Sequence, residues 1–261
     1  MIDVHVVIPT FAPPGWRWIE EANLHREWRW HFYDARKNGC EAAVRASENA
    51  LSGSQADLPA SANASNASQG GASVLVTHGN LDARACAKLR AGLDHSRARF
   101  IAFSFHAPYA FGFRERHAYR KLAQHVDLFV SHCAFECQYY AKQLNIPQHR
   151  FAMIPWYFEE AAVQSPPRID GPYLSAVGAS MRDYATLFDA MRQLPDLRLV
   201  AVVRPENLQH LRVPSNVTVL EDIPKADLWN VQDHSKLHVL PLSRDSRSGH
   251  ACLTQAMYFG V

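Results

Sequence analysis

The stretch "GPYLSAVGASMRDYATLFDAMRQLPDLRLVAVV", residues 171–203, has the pattern of a complete strand–helix–strand unit. An apolar run from Tyr173 to Val177 stops at Gly178, and a second apolar run covers residues 197–203. Between the two runs, five apolar residues fall at helical spacing on one face, namely Tyr184, Leu187, Phe188, Met191 and Leu194. This order predicts two parallel strands joined by a right-handed helical crossover.

The same alternation of short apolar runs and amphipathic segments covers residues 73–156 and restarts at residue 172. The segment "EEAAVQSPPRIDG", residues 159–171, interrupts it with two prolines and a glycine. The sequence therefore predicts an α/β protein with two doubly wound, Rossmann-like domains, residues 1–160 and 172–261, joined by a linker at 161–171. Residues 51–73 are almost all small or polar, which predicts a mobile surface loop inside the first domain.

Composition limits the kinds of partner. Lys and Arg number 27 against 25 Asp and Glu, a net charge of +2, so no bulk field favours nucleic acid and any anion site must be local. No apolar run reaches the roughly 18 residues that cross a bilayer, and the first residues lack the features of a signal peptide. We expect a soluble cytoplasmic protein, with room for a peripheral contact with the membrane face.

The five cysteines are odd in number and form no CxxC pair, which indicates reduced thiols rather than a disulfide framework or a zinc ribbon. They are Cys40, Cys86, Cys133, Cys137 and Cys252. His132, Cys133 and Cys137 together are an alternative metal set. A helix that turns one thiol inward, without metal, is the interpretation we favour.

Gly178 and Arg182 lie where a ligand would be expected. In an open parallel sheet, ligands bind beyond the carboxyl ends of the strands, close to helix N-termini. Gly178 would let a phosphate approach the backbone. We predict Arg182 in the first turn of a helix, where the helix dipole is already positive. Its guanidinium has several N–H donors in one plane and would bind the oxygens of a diphosphate. The alternative is a plain turn glycine and a solvated arginine, and the pattern alone leaves both open.

Residues 171–203, together with "PSNVTVLEDIP" (214–224) and "LHVLPLSRDSRSGHACLTQAMYFG" (237–260), resemble a known family. They look like the donor-binding half of the bacterial retaining glycosyltransferases with the two-domain GT-B fold (group 1 type). The family's strand–glycine–arginine turn matches Gly178 and Arg182, and its Ala-Met-x-x-Gly ending matches residues 256–260. The resemblance covers about residues 73–261, specifically in the second half and in layout only in the first.

The resemblance implies transfer of a sugar from a nucleotide-sugar donor to a glycan, lipid-linked or small-molecule acceptor, as in polysaccharide biosynthesis. It implies no cofactor and no obligatory metal. The second domain would hold the donor, and Arg182 would be catalytic, because it would stabilise the charge on the departing diphosphate. Arg204, directly after residues 197–203, would be a further phosphate or base contact.

One departure from the family concerns two glutamates spaced eight residues apart. Arg247 and Gln255 occupy these positions here. Gln255 can still bond to ribose hydroxyls, whereas Arg247 cannot replace a carboxylate. The resemblance therefore implies that Ser248, Gly249 and His250, at the N-terminus of the last helix, take part in donor binding.

In the first domain, His106 ends the apolar run "RFIAFSFH", residues 99–106. Relatives carry a histidine at this strand end, so the resemblance implies contact with the donor sugar or proton transfer. A purely structural histidine is the alternative. His78 and Asn80, at the end of the preceding strand, are weaker candidates for the acceptor side.

The sequence stops at Val261, where the family continues with another strand and further helices. We therefore expect a truncated second domain with an uncovered sheet edge. Besides an active transferase, two hypotheses remain. One is an inactive GT-B remnant that binds nucleotide or a partner protein, favoured by Arg247 and Gln255. The other is a sugar-nucleotide epimerase, disfavoured because the second half resembles transferases.

Overall fold

The computed structural model describes residues 2–8, 27–35, 39–52, 72–93, 98–107, 110–156, 166–243 and 250–261. The chain divides into two compact units, Met1–Ile154 and Pro155–Val261. Most of the predicted mobile loop, as well as Arg247, Ser248 and Gly249, lies outside the described residues. No helix in the described ranges is long and apolar enough to cross a membrane.

The first unit is built on a parallel sheet with strand order β2-β1-β3-β4-β5-β6. The strands are β1 (Ile2–Ile8), β2 (Trp28–Asp34), β3 (Ala72–His78), β4 (Arg99–Phe103), β5 (Leu128–Ser131) and β6 (Phe151–Met153). The helices are α1 (Gly39–Ser52), α2 (Asn80–Ala91), α3 (Phe113–Ala123) and α4 (Ala134–Leu144), followed by a short 3-10 helix (Gln148–Arg150).

Aromatic packing forms the centre of the first core. The buried Phe105 ring contacts Phe129 and Tyr140 edge-on, with centroid separations of 4.8 and 5.5 Å. Such edge-to-face pairs add to the free energy gained by burying the rings. Phe105 follows β4 while Tyr140 lies on α4, so these contacts fix the helix over the carboxyl half of the sheet.

The second unit contains a smaller parallel sheet with strand order β10-β7-β8-β9. Its elements are β7 (Leu174–Val177), α5 (Tyr184–Arg192), β8 (Leu199–Val203), β9 (Val217–Glu221), α6 (Lys225–Asp233), β10 (Leu237–His238) and α7 (Ala251–Phe259), with a 3-10 helix at Pro205–Leu208. Every residue of the central strand β8 is buried, as its unbroken apolar sequence predicts for a covered parallel strand. The two parallel sheets confirm the predicted α/β class with Rossmann-like domains.

Helix α5 buries the apolar stripe that the sequence predicts, except at its end. Tyr184, Leu187, Phe188 and Met191 are buried in the second core. Leu194 is 46% exposed, because the helix ends at Arg192 and the stripe does not continue beyond it.

The start of α5 differs from the prediction. The helix begins at Tyr184, so Arg182 is not in its first turn. Asp183 is the N-cap, and its carboxylate accepts hydrogen bonds from the Thr186 N–H at 3.0 Å and the Thr186 hydroxyl at 2.8 Å. These bonds hold the pKa of Asp183 below its usual value. The positive end of the helix dipole therefore meets a carboxylate, the arrangement that electrostatics favours.

Part of the predicted linker packs on the second unit. The Arg168 N–H donates to the Asn230 side-chain oxygen at 2.7 Å, and the Arg168 guanidinium pairs with Asp227 at 2.6 Å. Residues 166–171 are thus anchored to α6 and contribute to the second unit.

Candidate functional site

The second sheet has a switch point between β7 and β10. From β7 the chain crosses to β8 on one side, while β10 returns to the other side of β7. In doubly wound sheets this is where the loops after the strands diverge and leave a crevice for a ligand. Here the loops after β7 and β10 border it, and Arg182 and Leu242 form an antiparallel bridge between them. The Asp183 N–H donates to Pro241 O at 2.9 Å and the Ser243 N–H to Met181 O at 3.1 Å.

Two features require a glycine at residue 178, at the end of β7: the backbone conformation and the closeness of neighbouring side chains. Its φ of 121° lies in the region that residues with a side chain rarely adopt. A Cβ at this position would lie 3.0 Å from Arg182 Nη2, 3.2 Å from Arg182 Nε and 3.1 Å from Cys252 Sγ. The arginine head group therefore lies directly across Gly178, and only a glycine leaves room for it.

Arg182 carries an unpaired charge in this crevice. Its Nη1 donates to Ser180 O at 2.8 Å, and its Nη2 lies 3.6 Å from Cys252 Sγ on α7. The Nε is buried and has no hydrogen-bond partner among the described residues, nor does the guanidinium form an ion pair with any of them. Because a buried guanidinium nitrogen without a partner is costly and the group is positively charged, the arrangement favours binding of an anionic ligand.

Two side-chain hydrogen bonds to backbone carbonyls anchor the loop that carries Arg182. The Tyr184 hydroxyl donates to Gly178 O at 2.6 Å, and the Asn207 side chain donates to Ala179 O at 2.7 Å. Burial raises the pKa of the Tyr184 hydroxyl far above its usual value, so it remains a donor. These bonds connect the loop after β7 to α5 and to the 3-10 helix after β8.

The remaining donor-side candidates lie on neighbouring elements. Arg204 is exposed directly after β8, at the same edge of the sheet, and its N–H donates to the Asn207 side chain at 3.3 Å. His250 is the N-cap of α7, and Gln255 is half-buried on that helix. The structure thus brings Gly178, Arg182 and the first turn of α7 together through Cys252. It places Arg204 one strand further along.

Sequence reasoning missed a buried polar group below this crevice. The Nδ1 atom of His238 on β10 lies 3.0 Å from the hydroxyl oxygen of Ser175 on β7. Burial, with the nearby Arg182 charge as a smaller cause, lowers the pKa of His238 to about 4. The available signal was a histidine and a serine inside otherwise apolar runs of sequence, "LHVL" (237–240) and "LSAV" (174–177).

In the first unit, histidines follow three successive strands at one edge. His78 ends β3, His106 follows β4 and His132 follows β5. The Phe103 ring lies between two of them, 5.9 Å from His78 and 5.5 Å from His132. Burial, and then the nearby His132, lower the pKa of His78. In the described ranges no group of three or more His, Cys, Asp or Glu residues is placed to hold a metal ion.

His106 lies over the start of α2. Its Nδ1 is 3.1 Å from Ser104 O, and because a carbonyl only accepts, this nitrogen carries the proton in that bond. The imidazole Cε1 is 4.0 Å from the position of a Cβ on Gly79, whose φ is 84°. Asn80 is the first residue of α2. His78, His106 and the N-terminus of α2 therefore lie at one edge of the first sheet.

Comparisons with known proteins identify the architecture. No protein-family model matches the sequence, and no curated protein matches it either. Among solved structures, a trehalose-6-phosphate protein from E. coli, bound with UDP-2-fluoro glucose, aligns with a TM-score of 0.60 at 12% identity, over 99% of this chain and 82% of its own. The chain has the GT-B fold.

Two further structures share this fold. The glycotransferase of kitacinnamycin aligns with a TM-score of 0.50 at 15% identity, over 99% of this chain and 78% of its own. A Listeria monocytogenes protein described as a UDP-N-acetylglucosamine 2-epimerase aligns with a TM-score of 0.52 at 10% identity, over 92% and 74%. At these identities the likeness is one of fold.

Proposed function

We propose that this protein is a glycosyltransferase that moves a sugar from a nucleotide-sugar donor to a glycan, lipid-linked or small-molecule acceptor. The observation that carries the proposal is Arg182, whose unpaired guanidinium lies across Gly178 at the switch point of the second sheet. The fold supports it, since a solved structure with the same fold is bound with UDP-2-fluoro glucose. The retaining outcome implied by the sequence resemblance is part of the proposal.

The proposed mechanism assigns the leaving group to the second unit. As the sugar departs, negative charge grows on the diphosphate, and a cation fixed beforehand in an enclosed site stabilises that charge most effectively. Arg182 supplies two or more N–H groups in a fork that matches phosphate oxygens. Gly178 would let the phosphate approach the backbone, while Arg204, His250 and Gln255, together with Ser248 and Gly249, would bind the rest of the donor.

The first unit supplies the acceptor side in this proposal. With Nδ1 protonated towards Ser104 O, a neutral His106 has Nε2 as its proton-accepting nitrogen. An imidazole in that state suits contact with a sugar hydroxyl or proton handling near neutral pH. His78 and Asn80 would contact the acceptor. The reaction would take place in the cytoplasm, with a peripheral membrane contact when the acceptor is lipid-linked, and would need no metal.

The test is a thermal-shift screen of the full chain against UDP, GDP, ADP and their sugar conjugates. A ligand at about 100 times its Kd stabilises the folded state by about 2.7 kcal/mol. For a unit of roughly 100 residues this corresponds to a shift of about 10 °C or more. We expect one nucleotide series to give such a shift, and Arg182→Ala to abolish it.

The matched control is Arg198→Ala. Arg198 is an exposed arginine just before β8, at the opposite edge of the same sheet, where it donates to Asp170 O at 2.8 Å. Its removal changes the net charge equally, so the shift should survive. If no nucleotide shifts the melting of the folded chain, or if both variants respond alike, Arg182 does not hold a donor.

Product analysis then separates the three hypotheses. The bound sugar nucleotide is incubated with the protein, and the sugar released or transferred is identified by NMR, including its anomeric configuration. Release or transfer with retained configuration supports the proposal, whereas a rearranged sugar identifies an epimerase. Binding without any turnover would identify a nucleotide-binding protein that is not a transferase.

A further inference from the structure

A chain of buried hydrogen bonds runs beneath the switch point. Ser175 and His238 are register partners on β7 and β10, so their side chains lie on the same face of the sheet. The His238 Nδ1 lies 3.0 Å from Ser175 Oγ. Ser175 Oγ donates to Ser235 Oγ at 2.9 Å, and Ser235 Oγ donates to the Gln232 backbone carbonyl at 2.8 Å. Both serines and Gln232 are buried.

The donor and acceptor roles in this series of hydrogen bonds fix the tautomer of His238. A carbonyl oxygen can only accept, so the Ser235 proton points to Gln232 and the Ser175 proton points to Ser235. All bonds are then satisfied only when His238 Nδ1 donates to Ser175. The lowered pKa of His238, about 4, means that the ring is neutral at pH 7 and has one N–H. Its Nε2 is therefore a bare acceptor.

Three buried polar atoms in this region lack partners among the described residues. They are His238 Nε2, Gln232 Oε1 and Arg182 Nε. The Gln232 amide is oriented by its other end, since Nε2 donates to Cys252 O on α7 at 3.2 Å. Arg182 reaches the same helix through Cys252 Sγ. Buried polar atoms without partners cost free energy, so a ligand group that bonds to them is favoured.

The chemistry of these atoms selects the ligand group. An ionised phosphate oxygen can accept from Arg182, but it repels His238 Nε2, because both are acceptors. A ligand ammonium group would be repelled by the Arg182 charge. A hydroxyl is neutral and can donate to Nε2 beside a phosphate that Arg182 binds. In a nucleotide sugar, the hydroxyls next to the diphosphate belong to the ribose on one side and to the sugar on the other.

We infer that His238 forms a hydroxyl-binding subsite, in which a hydroxyl of the nucleotide sugar donates its hydrogen to Nε2. His238 is a binding residue in this scheme, while Ser175 and Ser235 are positioning residues that hold the ring in the tautomer with Nε2 as acceptor. The subsite rests on the proposed function, because it takes its ligand from the donor that Arg182 binds.

The first test compares variants by calorimetric titration of the full chain with the nucleotide identified above. His238→Phe keeps the ring shape and removes the acceptor, so we expect Kd to rise about tenfold, the effect of one net hydrogen bond. His238→Gln can present an oxygen near the Nε2 position, so Kd should stay within about threefold of the wild type. His234→Phe is the matched control, since His234 bonds to Asn230 O at the end of α6 and should leave Kd unchanged.

The ligand series distinguishes the two sources of the hydroxyl. If the ribose supplies it, His238→Phe weakens the nucleoside diphosphate, and the 2′-deoxy or 3′-deoxy nucleotide shows the same loss with the wild-type protein. If the transferred sugar supplies it, His238→Phe weakens only the sugar conjugate. Either result supports the subsite.

A second measurement needs no variant of the site. Long-range ¹H–¹⁵N correlation spectra of the wild-type protein show which imidazole nitrogen carries the proton and whether the other accepts a hydrogen bond. We expect protonated Nδ1 in His238 without ligand, and a shift of the Nε2 resonance at saturating sugar nucleotide. An unmoved Nε2 resonance, or equal affinity of the wild type and His238→Phe, overturns the subsite while Arg182→Ala still abolishes binding. If no nucleotide binds at all, the proposed function fails and the subsite fails with it.

Discussion

Replacing Gly178 by alanine should destabilise the second unit through two separate effects. The backbone at residue 178 has a φ of 121°, which L-residues with a Cβ avoid at a cost of about 1–3 kcal/mol. The new methyl group would also lie within 3.0 to 3.2 Å of two Arg182 nitrogens and Cys252 Sγ. Forcing an extra methyl into packed surroundings costs about 1–3 kcal/mol. We expect the free energy of unfolding to fall by about 3–5 kcal/mol in total.

Gly260→Ala separates the two effects. Gly260 also has a positive φ, 74°, but a Cβ there would meet no atom within 4 Å. Its replacement should cost about 1–2 kcal/mol, the conformational part alone. The excess of about 2–3 kcal/mol at Gly178 then combines the collision with the arginine and the thiol with the stricter backbone requirement at a φ of 121°.

A double-mutant cycle tests the cause of that excess. Denaturant unfolding of the full chain is measured for Gly178→Ala, Arg182→Ala and the double variant. Because Arg182 supplies two of the three close atoms, the double variant should recover most of the excess as a coupling energy of at least 1 kcal/mol. If the coupling is below about 0.5 kcal/mol, or if Gly178→Ala costs no more than Gly260→Ala, the arginine does not lie across this glycine.

Three further predictions concern stability. Burial, and then the nearby His31, lower the pKa of His5 from 6.5 to about 3. Burial, and then the nearby Arg182, lower the pKa of His238 from 6.5 to about 4. The unfolded chain therefore binds more protons below pH 6.5. Each histidine should cost about 2 kcal/mol of stability between pH 7 and pH 5, and His238→Gln should flatten the measured pH dependence. Tyr184→Phe, which removes the 2.6 Å bond to Gly178 O, should cost about 1–2 kcal/mol in urea unfolding; an unchanged midpoint would contradict the bond. Asp183→Ala should lower the free energy of unfolding by about 1 kcal/mol while Asp183→Asn changes it little, and equal losses would exclude capping.

The sequence predicted the second sheet well because its elements are short and follow sharp patterns. The unit β7–α5–β8 shows an apolar run, a helical stripe and another apolar run, and the structure confirms each of them. The prediction was wrong about where helix α5 begins. Arg182 precedes a helical stripe and looks like its first turn, yet Asp183 caps the helix and Arg182 bridges to Leu242.

The first unit shows a different limit of sequence reasoning. Strand β2 reads "WRWHFYD", in which aromatic residues largely alternate with polar ones. In the structure Arg29 and His31 face Asp3 on β1, at 3.1 and 2.9 Å. Alternation predicts a strand, but a pairing with β1 depends on the register of the whole sheet, which the local pattern does not contain.

The pairing of Ser175 with His238 could not be predicted from the sequence for the same reason. Ser175 and His238 are 63 residues apart and meet only because β10 pairs in parallel with β7. Gly178 and Arg182 could be found, since a glycine at a strand end followed by an arginine is a local signal. His238 could be found only once strand order and register were known.

The bridge between Arg182 and Leu242 also affects how the crevice opens. The amides of Asp183 and Ser243 lie in loops, yet each donates to a carbonyl of the opposite loop, at 2.9 and 3.1 Å. Neither amide can exchange its hydrogen with solvent deuterium unless the two loops separate, so both should exchange through the same opening event and at similar rates. The two loops are therefore expected to open together, as one cooperative unit.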